Sequence, residues 1–332
     1  MPTLTDLPTE LLMEIIKYYP ELLPSLDARI CGVISDQFDG NDALRALSQT
    51  CRTLRDIFLP VLWKRVHASH NVRTRPKYKI RTRPKMLERR MIGIQKTRYV
   101  VPYIRCLSVT FVECTMYNWQ PVAHFVRVLD LLPNLRDLTI IEVPNEMVSV
   151  IQSSFQGKTY PSVLSLALPA NSASLLCYFP NIETLSRGSN PSFSTAEVEF
   201  FREPKQVYEH VHTINNLPVT PEVVRLIRES MPHVQCLAVW EPQSADTLSL
   251  LAGMDALNDL RIRIRPPPEF YRQGPWVNSL LAAGQRVLRT SKALGRKTLR
   301  IQHMAYEWRL REETIQAETV VIVGGQQNTL IS

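Results

Sequence analysis

The sequence predicts a two-part α/β chain: a helical unit at the N-terminus, then a solenoid with a parallel sheet on its inner side and helices on its outer side. Three observations predict it. Apolar residues recur at helical spacing in the first fifth of the chain. A phrase Pro-x-Φ-x-x-Leu-x-Φ, with Φ apolar, then recurs from residue 102 to residue 264. Helix-forming stretches separate its copies, so strand and helix alternate. The length of 332 residues suits about two domains.

In the N-terminal unit, Leu7, Leu11, Ile15 and Tyr18 recur at helical spacing, and so do Leu12, Ile16 and Tyr19. Thr5 or Asp6 can cap this helix, Pro8 suits its first turn, and Glu10 sits near the positive end of its dipole. A second helical run carries Leu44, Leu47, Cys51 and Leu54; a third carries Ile57, Phe58, Val61 and Leu62 and closes at Trp63. A unit this small cannot bury all of that apolar surface by itself, so part of it faces the rest of the chain or another protein.

The ordered set Leu7-Pro8-x-Glu10-Leu11-Leu12-x-x-Ile15, Leu44-x-x-Leu47-x-x-x-Cys51-Arg52-x-Leu54 and Leu62-Trp63 resembles an F-box, most closely the variety of fungal F-box proteins with Thr-Cys-Arg-x-Leu-Arg in place of a cysteine–tryptophan signature. The segment 21–41 is longer than that family's link between its first two helices and reads as an inserted loop. The boundaries that follow are an F-box-like helical unit over 1–68, a basic linker over 69–99 and a repeat domain over 100–332.

The net charge of +8 is unevenly placed. Between His70 and Tyr99 stand eleven basic residues and one acid, Glu88, a local charge of +10, so the remainder sums to −2. Within this stretch Arg73-Thr74-Arg75-Pro76-Lys77 is repeated as Arg81-Thr82-Arg83-Pro84-Lys85. Each proline argues against helix, and the segment reads as a solvated linker, with a short basic helix over 85–97. A phosphate-binding arm is the competing reading.

The phrase starts at Pro102, Pro133, Pro161, Pro180 and Pro232, with less complete copies around Ile214 and Leu260. Its anchors are Leu107, Leu138, Leu166, Leu185, Ile214, Leu237 and Leu260, spaced 31, 28, 19, 29, 23 and 23 residues apart. Each phrase predicts one short strand. Helices are expected over 121–132, 145–155, 172–179, 195–202, 221–230 and 244–254. This drift in spacing resembles irregular leucine-rich repeats, which follow F-boxes in a known group of receptors. After the seventh strand, 270–290 reads as helix interrupted by Gly274, Pro275 and Gly284, 298–301 as an eighth strand and 319–323 as an edge strand.

No run of apolar residues approaches the ~20 that span a bilayer, the N-terminus lacks the basic start of a signal peptide, and six cysteines show no paired spacing. These features suit a soluble intracellular protein, cytoplasmic or nuclear. No phosphate-cradling glycine loop and no nucleophile elbow occurs. His210-x-His212 lacks a third ligand nearby. The chain is expected not to be an enzyme, with no cofactor and no metal.

The F-box resemblance implies docking on a Skp-type adaptor, and through it a cullin–RING ubiquitin ligase, by Leu7, Pro8, Leu11, Ile15, Leu44, Leu47, Cys51 and Leu54. Several of these are expected to serve the helical core instead, with Leu7 and Pro8 the clearest interface residues. The repeats would then bind the target protein. Period-two alternation turns the anchor and the residue two later inward and leaves the others on the concave face. That face becomes basic toward the C-terminus, and Trp240, Arg261, Arg263, Arg265 and Arg300 are expected to form a patch for an acidic or phosphorylated segment. The alternative functions are a ligase-independent scaffold or a nucleic-acid-binding solenoid using 70–99. Nucleic acid is disfavoured by the near-neutral body, and no membrane is expected.

Overall fold

The computed structural model describes residues 7–17, 44–68, 83–187, 198, 200–202, 205–240, 242, 244–264, 275–307 and 312–323. The chain divides into two compact units, one holding the residues up to Ser154, the other Phe155–Glu307 and the chain from Glu313.

The first unit opens on helix Thr9–Lys17. Its first turn hangs on the carbonyl of Pro8, which accepts from the amides of Leu11 and Leu12 at 3.0 and 3.1 Å. Pro8 therefore stands just before the helix, and its missing N–H costs nothing there. Residues 44–50 are helical, and helix Arg52–Trp63 follows after an extended break at Cys51 (φ −153°). Leu12, Leu44, Leu54 and Phe58 meet in one buried cluster, with Leu47, Cys51, Ile57, Val61 and Leu62 packed around it. The expected inserted loop 21–41 lies outside the described residues.

Three parallel strands follow in the order β1 (Arg65–His67), β2 (Cys106–Val109) and β3 (Asp137–Ile140). The register pairs Val66 with Leu107 and Leu107 with Leu138. β1 is an extra repeat strand inside the segment expected to be wholly helical. It lacks the Pro-x-Φ phrase, which is why the pattern does not reveal it. Between β1 and β2, helix Arg83–Lys96 buries Pro84, Leu87, Met91 and Ile94. Half of the expected linker is therefore a packed helix, and Pro84 is tolerated because it lies in the first turn. Residues 69–82 lie outside the described part. Helices Gln120–Leu131 and Asn145–Phe155 stand within a residue of their expected bounds.

His67 is tied into this unit: its carbonyl accepts from Arg90 Nη1 at 2.6 Å. Burial first, then the charges of Arg65 and Arg90, lowers its imidazole pKa from 6.5 to about 4. Between those values the unfolded chain takes up a proton that the folded chain refuses. Stability is thus complete above 6.5 and falls as pH drops toward 4. His67→Gln should abolish about 3 kcal/mol of acid-induced loss, read from urea unfolding at neutral and acidic pH.

The second unit carries β4 (Ser165–Leu168), β5 (Thr184–Arg187), β6 (Thr213–Leu217), β7 (Cys236–Trp240), β8 (Asp259–Ile264), β9 (Lys297–Glu307) and β10 (Glu312–Val323), adjacent in that order. β4 to β9 are parallel, and their anchors lie in one register: Leu166, Leu185, Ile214, Leu237, Leu260 and Leu299. All six are buried. Helices Pro221–Ser230, Ala245–Ser249 and Pro275–Thr290 separate strands, the first as expected, the second shorter. Ala170–Tyr178 is 3₁₀ in place of the expected α-helix; the spacing of 19 residues between anchors 166 and 185 leaves no room for more. Only 198 and 200–202 of the expected helix 195–202 are described. Gly284 lies inside its helix and does not interrupt it, and a Cβ there would come within 2.8 Å of Leu299 Cδ1. The glycine lets the helix approach β9 closely.

The phrase has a physical meaning in both units. Its first apolar residue (Ile104, Leu135, Val163, Ile182, Val211, Val234, Leu257) is buried in every copy. In six copies its amide closes a tight turn on the carbonyl three residues back. At the start of six strands two successive amides share one carbonyl of the preceding repeat, as Arg136 and Asp137 share that of Arg105, and Asn258 and Asp259 that of Gln235. Asparagine after the proline bonds the previous phrase: Asn134 Nδ2 donates to Pro102 O at 3.1 Å and Asn181 Nδ2 to Pro161 O at 3.0 Å. This repetition of hydrogen bonds makes the chain a parallel-stranded α/β repeat fold.

Candidate functional site

Two places answer to the expected sites. At the N-terminus the predicted adaptor set separates into two groups. Leu44 and Leu54 are buried in the helical core and Leu47 and Cys51 pack against it. Leu44 and Leu54 thus serve the helical core, and Leu47 and Cys51 are half-buried at its edge. Leu7, Pro8 and Leu11 are exposed, Leu7 at 36% and Leu11 at 51%, while their neighbour Leu12 is buried. Ile15 lies in the same helix, its side chain outside the described part.

In the second unit β7, β8 and β9 do bring Trp240, Arg261, Arg263 and Arg300 together: Trp240 pairs with Arg263 and Arg261 with Arg300. Arg265 lies outside the described residues. The expected open basic patch is corrected on the other four. Arg263 is 0% exposed. Its Nε donates to Gln302 Oε1 at 3.0 Å and its Nη1 to Asn216 Oδ1 at 2.6 Å. Arg261 Nη2 lies 2.8 Å from Asp259 Oδ2, and Arg300 Nε lies 3.6 Å from Asp259 Oδ1. Glu318 accepts from Gln302 Nε2 at 3.0 Å and lies 3.9 Å from Arg300 Nη1. Arg261 and Arg300 thus face the carboxylates of Asp259 and Glu318 while Arg263 is held by two side-chain amides, so this face of the sheet is a bonded polar network and not an open patch.

Sequence reasoning missed two members. Glu318 comes from β10, which carries no repeat phrase. Asn216 sits at a register shift in β6 with φ 59°, and its own Nδ2 donates to Arg187 O at 3.2 Å. Its signal is Asn215-Asn216 where an alternating strand would show an apolar residue.

The cysteines beside the anchors repeat one arrangement: Cys106 Sγ donates to Asp137 Oδ2 at 2.9 Å and Cys236 Sγ to Asp259 Oδ2 at 3.4 Å. Burial, then the Asp259 carboxylate, pushes the Cys236 thiol up to about 12, and burial, then Glu113, does the same to Cys114. Iodoacetamide at mildly alkaline pH should label exposed Cys177 in the folded protein and leave Cys114 and Cys236 unmodified until denaturant is added, as peptide mapping would read. Among the described residues no group of three or more His, Cys, Asp or Glu is placed to hold a metal ion, and no helix is long and apolar enough to cross a membrane.

No protein-family model matches this chain, and no curated protein matches it. Among solved structures it is similar to the leucine-rich repeat-containing protein LegL7 from Legionella pneumophila, at 11% identity and a TM-score of 0.34, over 75% of this chain and 92% of that one. At that score the likeness adds no weight. The repeat architecture rests on the registered anchors and recurring hydrogen bonds of the chain itself.

Proposed function

We propose that this chain is the substrate-recognition subunit of a Skp–cullin–F-box ubiquitin ligase: its N-terminal helices dock on the Skp-type adaptor and its repeats hold the protein to be ubiquitinated. One observation carries the reading. Leu7, Pro8 and Leu11 lie exposed at the start of a helix whose Leu12 is already buried with Leu44, Leu54 and Phe58. Leu7, Pro8 and Leu11, left over from the core, are three of the eight residues that the F-box resemblance assigns to the adaptor, and apolar anchors of this kind carry helix docking. Such a receptor positions its target and needs no acid, base or nucleophile of its own. Arg263 is buried and Arg261 and Arg300 are paired with carboxylates, so an acidic target segment on that face is not part of the proposal. The test is adaptor binding by the purified chain beside a Leu7→Ala/Pro8→Ala variant; binding to the intact chain alone supports the reading.

A further inference from the structure

Arg261 and Arg300 are already paired with carboxylates of their own chain, which leaves them poorly placed to hold a target. The first unit offers one surface with the required chemistry. β2 runs into a loop that makes two successive turns: Cys114 N donates to Phe111 O and Asn118 N to Thr115 O, both at 2.9 Å. Glu113 adopts φ 63° within it, which re-aims the chain. The loop then displays Met116 at 59%, Tyr117 at 96% and Trp119 at 45% exposure before helix Gln120–Leu131 begins. Three large apolar side chains within four residues are a patch, not scattered exposure.

The neighbouring loop after β3 is bonded to this one, with Phe111 N donating to Glu142 O at 2.9 Å. It carries Glu142 and leads to Glu146, both exposed. Segments 110–119 and 141–146 together contain three glutamates and no lysine or arginine, in a chain of net charge +8. Exposed aromatic rings on one loop and exposed carboxylates on the loop hydrogen-bonded to it suit a cation: a ring attracts the ammonium or guanidinium, and the carboxylates select against anions.

We propose that the loops at the C-terminal ends of β2 and β3, through Met116, Tyr117, Trp119, Glu142 and Glu146, dock a lysine- or arginine-bearing segment of the target protein. This deepens the receptor reading and rests on it for the word target.

The test uses the full chain and short fluorescein-labelled peptides, one alternating lysine with serine, one glutamate with serine. The lysine peptide should bind about tenfold more tightly than the glutamate peptide. Tyr117→Ser/Trp119→Ser should weaken it about tenfold, Glu142→Gln/Glu146→Gln should erase the charge preference, and Tyr99→Ser, an exposed aromatic before β2, should change nothing. Equal binding of the two peptides, or indifference to the loop substitutions with circular dichroism unchanged, would overturn the proposal. Lysine-peptide binding that emerges only after Arg73→Ser/Arg75→Ser/Lys77→Ser would also overturn it, by making the chain itself the occupant. Adaptor binding is read on the same preparations. Its absence with the peptide preference intact sinks the ligase reading and leaves the surface standing.

Discussion

Asn216→Ala is expected to lower the unfolding free energy by about 3 kcal/mol. Besides its bond to Arg187 O, the residue does two things at once. Its Oδ1 accepts from the guanidinium of Arg263 at 2.6 Å, and its backbone holds φ 59°. Losing a hydrogen bond to a buried charge costs about 1.5–3 kcal/mol, and placing alanine in the left-handed region adds about 1 kcal/mol. Asn216→Gly separates the two, since glycine accepts that backbone freely, and should cost about 2 kcal/mol. In a background where Arg263 is already methionine, Asn216→Ala should cost only the backbone share and the weaker bond from its Nδ2 to Arg187 O, because no buried charge is left short of an acceptor. Urea unfolding of the four variants measures the coupling. Additive costs would show that Asn216 and Arg263 act independently, against the network described.

The same residues mark where the sequence stops being legible. The anchors from Leu107 to Leu260 were readable because each repeat solves the same local problem: a buried Φ closing a turn, then a leucine in register with the next leucine. β1 was not readable, since Val66 joins that ladder without a proline phrase and straight after a helix. The exposed-versus-buried pattern of β2 to β4 follows period two. From β5 onward it does not: Ser186 and Asn215 are buried and bonded to each other, and the register shift at Asn216 and the arrival of β10 bring acceptors for Arg263 and Gln302 from positions distant in sequence. A run of Arg261, Arg263 and Arg300 on one face reads as a docking patch until Asp259 and Glu318 are placed against it. Similarly, helical spacing identified Leu7, Leu11, Leu44 and Leu54 as apolar partners, but only the packed helices separate those inside from those outside.

That separation makes the second large effect specific. Leu44→Ala removes a buried side chain and should cost about 2–5 kcal/mol of stability. Leu7→Ala and Pro8→Ala alter exposed residues, so they should leave thermal unfolding nearly unchanged. If Leu7 and Pro8 are adaptor anchors, together they should nonetheless account for about 3 kcal/mol of binding, roughly a hundredfold in Kd. An effect on binding without one on stability belongs to an interface. The reverse belongs to a core.

The most direct measurement is therefore the Kd of the full chain for a purified Skp-type adaptor, by calorimetry, with the Leu7→Ala/Pro8→Ala variant beside it. Binding near micromolar or tighter by the intact chain, weakened about a hundredfold in a variant with unaltered unfolding, is the predicted result. A folded intact chain that does not bind the adaptor, or a variant that binds as well as the original, would contradict the receptor function.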